Sequence, residues 1–422
     1  MGRFHGILGI LVILGIAYAL SREKKRIKLR IILWGLGLQI VFGLFLMKTD
    51  VGQAIFTRAR IVMDGVLDMT AVGGHFIFGN LVPEPGGPDD PTIGYILAFR
   101  ALPVIIVFSS LMAMLYHLGV MQLIVRFFAF IMQKTMQTSG AESLSTAGNI
   151  FVGMTEAPLL IRPFVERMTT SELMAVMTGG LATIAGSVFA LYVSFGLDAG
   201  HLLTASVMSA PAALVIAKIM IPETGESQTG GTIRVHMEKE TQNLIDAAAS
   251  GATMGLKLAL NVAAMLLAFI AILHLVNEGL AGLGVLLDSM TSAELFTADN
   301  ELSLSMIFGW LFGWLAWCMG VPASDMAVVG DLLGTKISLN ELIAFKGLAS
   351  ASAAGQLTPK STIIATYALC GFANFGSIAI TIAGIGGIAP SRRKDLARLG
   401  LKAMLGGALA SFMTGALAGI LV

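Results

Sequence analysis

Apolar stretches close to bilayer length recur along this chain, at residues 4–20, 31–47, 94–116, 174–197, 202–221, 256–280 and 403–421. A spanning helix needs about 20 such residues, so the recurrence by itself dictates an all-α, multi-pass membrane protein. An eighth stretch, 361–389, is apolar but interrupted by glycines. Composition agrees: 56% of residues are hydrophobic and 13% charged, against about 25% charged in an ordinary soluble chain. The net charge of +1 excludes a polyanion-binding design, so no nucleic-acid partner is expected. Cys318 and Cys370 lie in apolar stretches and read as packing residues rather than a disulfide. No Cys/His cluster has metal-ligand spacing, and no two histidines stand four residues apart.

The first apolar run leads into SREKKRIKLR rather than a small-residue cleavage site, so it reads as a transmembrane helix and not a signal peptide. Basic residues flanking a span stay cytoplasmic, which places the N-terminus outside. Loops 21–30, 222–250 and 390–402 then fall inside with most of the Lys and Arg. Residues 49–92, which include LVPEPGGPDDPTIGY, read as an outside loop. Residues 222–250 read as a polar loop running into a helix. In 118–138, Val120, Leu123, Ile124, Phe127, Phe128 and Ile131 recur at helical spacing between polar residues. That pattern fits an amphipathic helix along the interface or an ordinary packed helix.

Two segments fit no simple span. Residues 140–168 hold GNIFVGMTEAPLLIRPF, and residues 302–347 hold GVPASDMAVVGDLLGTKISLNELIAF. Each is apolar, broken by Gly or Pro, and carries a carboxylate, Glu156 or Glu341. Hydrocarbon tolerates broken backbone only where protein or a wet cavity satisfies it, and a re-entrant helical hairpin meets that condition. Each hairpin precedes an apolar span with polar residues near its centre: Thr183, Gly186 and Ser187, then Asn374, Gly376 and Ser377. A repeated order of this kind, entered from opposite sides, is the pattern of an inverted repeat with its substrate site between the halves. Both carboxylates then line a polar cavity; the plainer alternative pairs Glu156 with Arg162, and Glu341 with Lys336 or Lys346.

At these residues the sequence resembles the concentrative nucleoside transporters. GNIFVGMTEAPLLIRPF, ATIAGSV, GTKISLNELIAF, ATYALCGFANFGSI and GGIAPSRRKDLA carry the resemblance in the family's order, over roughly residues 95–421, and the length is like the bacterial type. The resemblance implies a homotrimer in the bacterial inner membrane, eight transmembrane helices, two re-entrant hairpins and a mobile transport domain. It implies nucleosides, uridine-like ones first, carried inward with sodium or, in some members, protons. By position it assigns the nucleobase to Gly153, Met154, Thr155 and Glu156, with Val188 beside them. It assigns the ribose to Glu341, Asn374 and Ser377, with Phe372 against the substrate. Sodium falls to the side chains of Asn149 and Thr183 and the carbonyls of Val152 and Ile184. Scaffold helices fill 1–117, the interfacial helix 118–138, the first transport half 139–221, a cytoplasmic loop and long scaffold helix 222–284, and the second transport half 285–422.

The chain departs from its family at Met154, where Gln is common; a thioether offers no donor. NEF becomes NEL with Leu342, an apolar exchange, and GQLTPKS at 355–361 has no assigned role. A rival reading, an intramembrane carboxylate dyad, requires Glu156 and Glu341 on facing helices. A passive channel has no need of two ligand-shaped hairpins.

Overall fold

The computed structural model describes residues 2–83, 96–229, 241–291, 296 and 301–422. Every regular element among them is helical. The first block is α1 (Gly2–Ala19), α2 (Leu29–Lys48), α3 (Asp50–Phe78), α4 (Leu97–Arg100), α5 (Leu102–His117) and α6 (Val120–Met136). The first hairpin follows as α7 (Gly140–Gly148) and a 3₁₀ arm (Ala157–Arg167). Next come α8 (Thr170–Ala182), α9 (Gly186–Ser194), α10 (Ala199–Met220) and the 48-residue α11 (Leu244–Thr291). The chain ends with α12 (Leu304–Cys318), α13 (Met326–Ser338), α14 (Glu341–Ala353), α15 (Pro359–Leu369), α16 (Phe375–Ile388) and α17 (Arg393–Leu421).

Among the described residues, seven helical segments are long and apolar enough to cross a membrane, by length and composition. Burial sorts them. The apolar window of α10 is 94% buried and that of α17 89%, whereas that of α11 is only 11% buried. α10 and α17 are therefore the centre of the packing. α11 turns Leu260, Leu267, Leu275 and Val285 outward, where lipid or another protein chain must cover them.

Two expectations change. Residues 50–78 are not a loop but the 29-residue α3, begun by Thr49, whose hydroxyl accepts from the Gly52 N–H. Its buried residues Gly52, Met63, Val66, Thr70 and Gly74 repeat at helical spacing, with Arg58, Arg60, Asp64 and Asp68 between them; the prolines that suggested a loop come after it. Residues 84–95 of the expected loop, and 230–240 of the polar stretch 222–250, lie outside the described residues. The second hairpin is not 302–347. α12 packs antiparallel to α13 as a separate helix, with Gly309 against Ala327 and Gly313 against Met326, and the tip falls between α13 and α14. The interrupted helices expected within 174–197 and 361–389 are each two helices with an unwound joint, at 183–185 and 370–374. α6 exists as expected, burying Met121, Val125, Ala129, Met132 and Met136 along one face.

The two hairpins open to opposite ends of the molecule. At the base of the first, Lys218 pairs with Glu142 at 2.6 Å, and Arg392 donates to the Met168 carbonyl at 2.6 Å. The Arg22 N–H reaches the Met220 carbonyl at the same end. At the base of the second, Asp325 accepts from the Thr358 N–H and hydroxyl at 2.8 and 2.9 Å. That base lies with Cys318 and Met319, which pack on Gly9 and Gly419, near the start of α1 and the end of α17.

Candidate functional site

The two unwound joints touch. Phe372 N–H donates to the Thr183 carbonyl at 3.2 Å. Gly371 has φ +151, and a Cβ there would lie 2.8 Å from the Ala182 carbonyl oxygen, so only glycine allows this approach. Ser411 of α17 sits over both joints, its hydroxyl 2.9 Å from the Cys370 carbonyl and 3.4 Å from that of Ala182. A broken helix in a buried place needs such partners for its freed carbonyls.

The second hairpin delivers Glu341 into this crossing. Asn340 caps α14 by accepting the Ile343 N–H at 2.9 Å, which fixes Glu341 in the first helical turn. The Glu341 carboxylate accepts from the Tyr192 hydroxyl at 3.2 Å and from Asn374 Nδ2 at 2.9 Å. Asn374 Oδ1 in turn accepts the Ser377 N–H at 2.8 Å, capping α16. Glu341, Asn374 and Ser377 therefore form one buried network. The alternative pairing with Lys336 is not made: its ammonium donates to the Ala368 carbonyl at 2.8 Å.

The first hairpin meets the same helix lower down. Met154 Sδ accepts from the Thr381 hydroxyl at 3.3 Å, and Thr155 packs on Gly384. Asn374, Ser377, Thr381 and Gly384 stand at i, i+3, i+7 and i+10 of α16, one helical face. Residues 374 and 381 are separated by about 10 Å of helix, comparable to the length of a nucleoside. The tip itself is tight. Phe151 carbonyl accepts the Gly186 N–H, and the Glu156 carboxylate lies over Gly153. Glu156 is exposed, and no ion pair links it to Arg162 among the described residues.

Two of the cation candidates lie toward the same end of α8. Asn149 ends α7 and gives its Nδ2 to the Ser145 carbonyl. Its Oδ1, fully buried beside Gly180, has no hydrogen-bond partner among the described residues. Thr183 donates to the Gly179 carbonyl, leaving its lone pairs for another ligand. An orphaned carboxamide oxygen and a threonine oxygen are donors of the kind a hard cation takes. Val188 is buried on α9, and Phe372 is half-buried at the second joint.

Sequence reasoning missed Tyr192, Asn340, Thr381 and Ser411. Thr381 carried a usable signal, its spacing from Asn374 and Ser377. Ser411 carried none, because ALASFMTG reads as an ordinary small-residue helix.

The model for the "Na+ dependent nucleoside transporter C-terminus" matches residues 201–419, the corresponding N-terminal model residues 8–81, and a "nucleoside recognition" model residues 98–198. This chain belongs to the Na+-dependent nucleoside transporter family. It is 41% identical to sodium/nucleoside cotransporter 1 of Rattus norvegicus, covering 98% of this chain and 63% of that protein. An uncharacterized transporter of Haemophilus influenzae is 40% identical over 100% of this chain and 98% of its own length. A structure of CNTnw in an inward-facing substrate-bound state superposes with a TM-score of 0.90 at 41% identity, covering 100% and 98% of the two chains. An outward-facing structure of a CNTnw variant gives 0.89 at 40% identity, covering 100% and 98%. The family is one of transporters, not enzymes, so the carboxylate-dyad reading falls. This is an integral membrane protein, and nucleosides are its substrate class.

Proposed function

We propose that the protein carries nucleosides into the bacterial cell by sodium symport, with its hairpins and unwound joints moving as a unit in an elevator-like alternating access. The observation that carries this reading is the single face of α16 shared by both hairpin tips. Glu341, Asn374 and Ser377 would hold the ribose hydroxyls, with Phe372 against the sugar. Gly153, Met154, Thr155, Glu156 and Val188 would hold the base, uridine-like bases first. Asn149, Thr183 and the carbonyls of Val152 and Ile184 would hold sodium. No titratable side chain stands in that shell, and the matches name sodium rather than a proton. The exposed length of α11 supports its covering by further copies in a homotrimer. The basic loops support an inner-membrane orientation with the N-terminus outside.

Radiolabelled uridine and adenosine uptake into proteoliposomes, with sodium and pH gradients imposed separately, tests the reading. Accumulation above equilibrium that follows the sodium gradient is expected. Uptake that persists under choline and follows the pH gradient overturns the ion assignment; equilibration without accumulation overturns coupled transport.

A further inference from the structure

Glu142, Ser145, Thr146 and Asn149 stand at i, i+3, i+4 and i+7 of α7, on one side of the first hairpin's leading arm. All four are buried. Asn149 Oδ1 and the hydroxyls of Ser145 and Thr146 have no hydrogen-bond partner among the described residues, and neither does the buried hydroxyl of Ser209 on α10. Helices α8 and α10 flank the arm. The Thr146 hydroxyl lies 3.1 Å from where a Cβ on Gly179 would sit, and Ser206, one turn before Ser209, donates to the Ile150 carbonyl at 2.8 Å. One turn below Ser145, Glu142 opens onto a cavity of about 470 Å³, also lined by Gln137, Thr138, Ser139 and Lys218. The Glu142–Lys218 pair stands between that cavity and the hydroxyls.

Buried polar atoms are nearly always bonded. Four orphaned oxygens on two neighbouring helices, leading from a candidate cation ligand to a cavity, therefore call for a mobile polar guest. Hydroxyl and carboxamide oxygens without fixed donors suit a partly hydrated hard cation. We propose that this file is the conduit by which the coupling cation passes between Asn149 and the cavity at Glu142, apart from the opening used by the nucleoside. The proposal rests on reading Asn149 as a cation ligand.

Silver ion, a thiol-reactive cation close to sodium in size, probes the file. Ser145→Cys, Ser209→Cys and, as the cavity control, Gln137→Cys are placed in purified protein carrying Cys318→Ala and Cys370→Ala. All three thiols should be consumed by silver, with sodium slowing only the two in the file. No reaction at 145 and 209 while 137 reacts, or reaction there indifferent to sodium, overturns the conduit. Thr146→Val, equal in shape but lacking the oxygen, supplies the second measurement. Sodium-driven uridine uptake should slow several-fold while the sodium dependence of uridine binding at equilibrium stays unchanged; a changed equilibrium dependence overturns a transit role. Asn149→Ala in the same equilibrium assay separates the two readings. If sodium dependence survives it, the cation assignment itself fails; if it is lost while the silver result is negative, the conduit alone fails.

Discussion

The two hairpins reach the site by different means. α13 and α14 of the second are regular 13-residue helices, and Asn340 caps the second of them at the tip. The first pairs the nine-residue α7 with an 11-residue 3₁₀ arm that kinks at Ile161 (φ −119, ψ 15) and contains Pro158 and Pro163. Two prolines remove two donors from a short arm, and 3₁₀ geometry is the tighter form such an arm can still adopt. The regular hairpin locks one carboxylate into a buried network. The irregular one frees backbone groups and leaves its carboxylate exposed. On the proposed reading, the same hairpin topology serves a precise polar anchor in one half and an adaptable ion-and-base pocket in the other.

Glu341→Gln should show the largest effect. It leaves the Tyr192 hydroxyl or Asn374 Nδ2 facing another donor, and bonds to charged groups are worth about 1.5–3 kcal/mol each. Uridine uptake should fall by about a hundredfold or more, whereas Glu156→Gln, at an exposed position, should cost clearly less. Equal losses in a parallel uptake assay would break the contrast between anchored and adaptable tips. Next, Asn149→Ala should abolish the sodium dependence of uridine binding without altering the ribose requirement, read from competition by 2′-deoxyuridine. Binding still driven by sodium would remove the first hairpin from ion coupling.

Ser411→Ala removes the hydroxyl whose one proton is nearest the Cys370 carbonyl of the second joint, and an unpaired buried carbonyl costs about 1–3 kcal/mol. A lower Tm with weaker uridine binding should follow, rescued by Thr at the same position; an unchanged Tm would show that the joints hold without it. The smallest effect is expected at Met154. Replacing its sulfur with an amide that can both donate and accept should alter relative affinity for uridine, cytidine and adenosine by a few-fold to about tenfold. Because the sulfur already accepts from Thr381, Thr381→Val should change the size of that shift. An unchanged inhibition order in Met154→Gln, with or without Thr381→Val, would place the side chain away from the base.

Much of this was legible in the chain. Spans, broken segments and the repeated order of hairpin and interrupted helix follow from apolar length and from Gly and Pro, which act locally. α3 was not legible as a helix, because its acids and arginines masked a buried stripe and the prolines at its end drew attention. The extra helix α12 was merged with the hairpin because both are apolar and short.

The sequence by itself determined that this is a membrane protein of interrupted helices, and its motifs determined the family. Local chemistry suffices for both, since a bilayer rejects unpaired backbone wherever it occurs. Only the tertiary structure decided that Tyr192 and Asn374 share one carboxylate, that α16 joins both tips, and that Ser411 bridges two joints. Those pairings connect residues separated by tens to hundreds of positions. A single sequence records each partner's chemistry but not which distant partner the fold will bring to it.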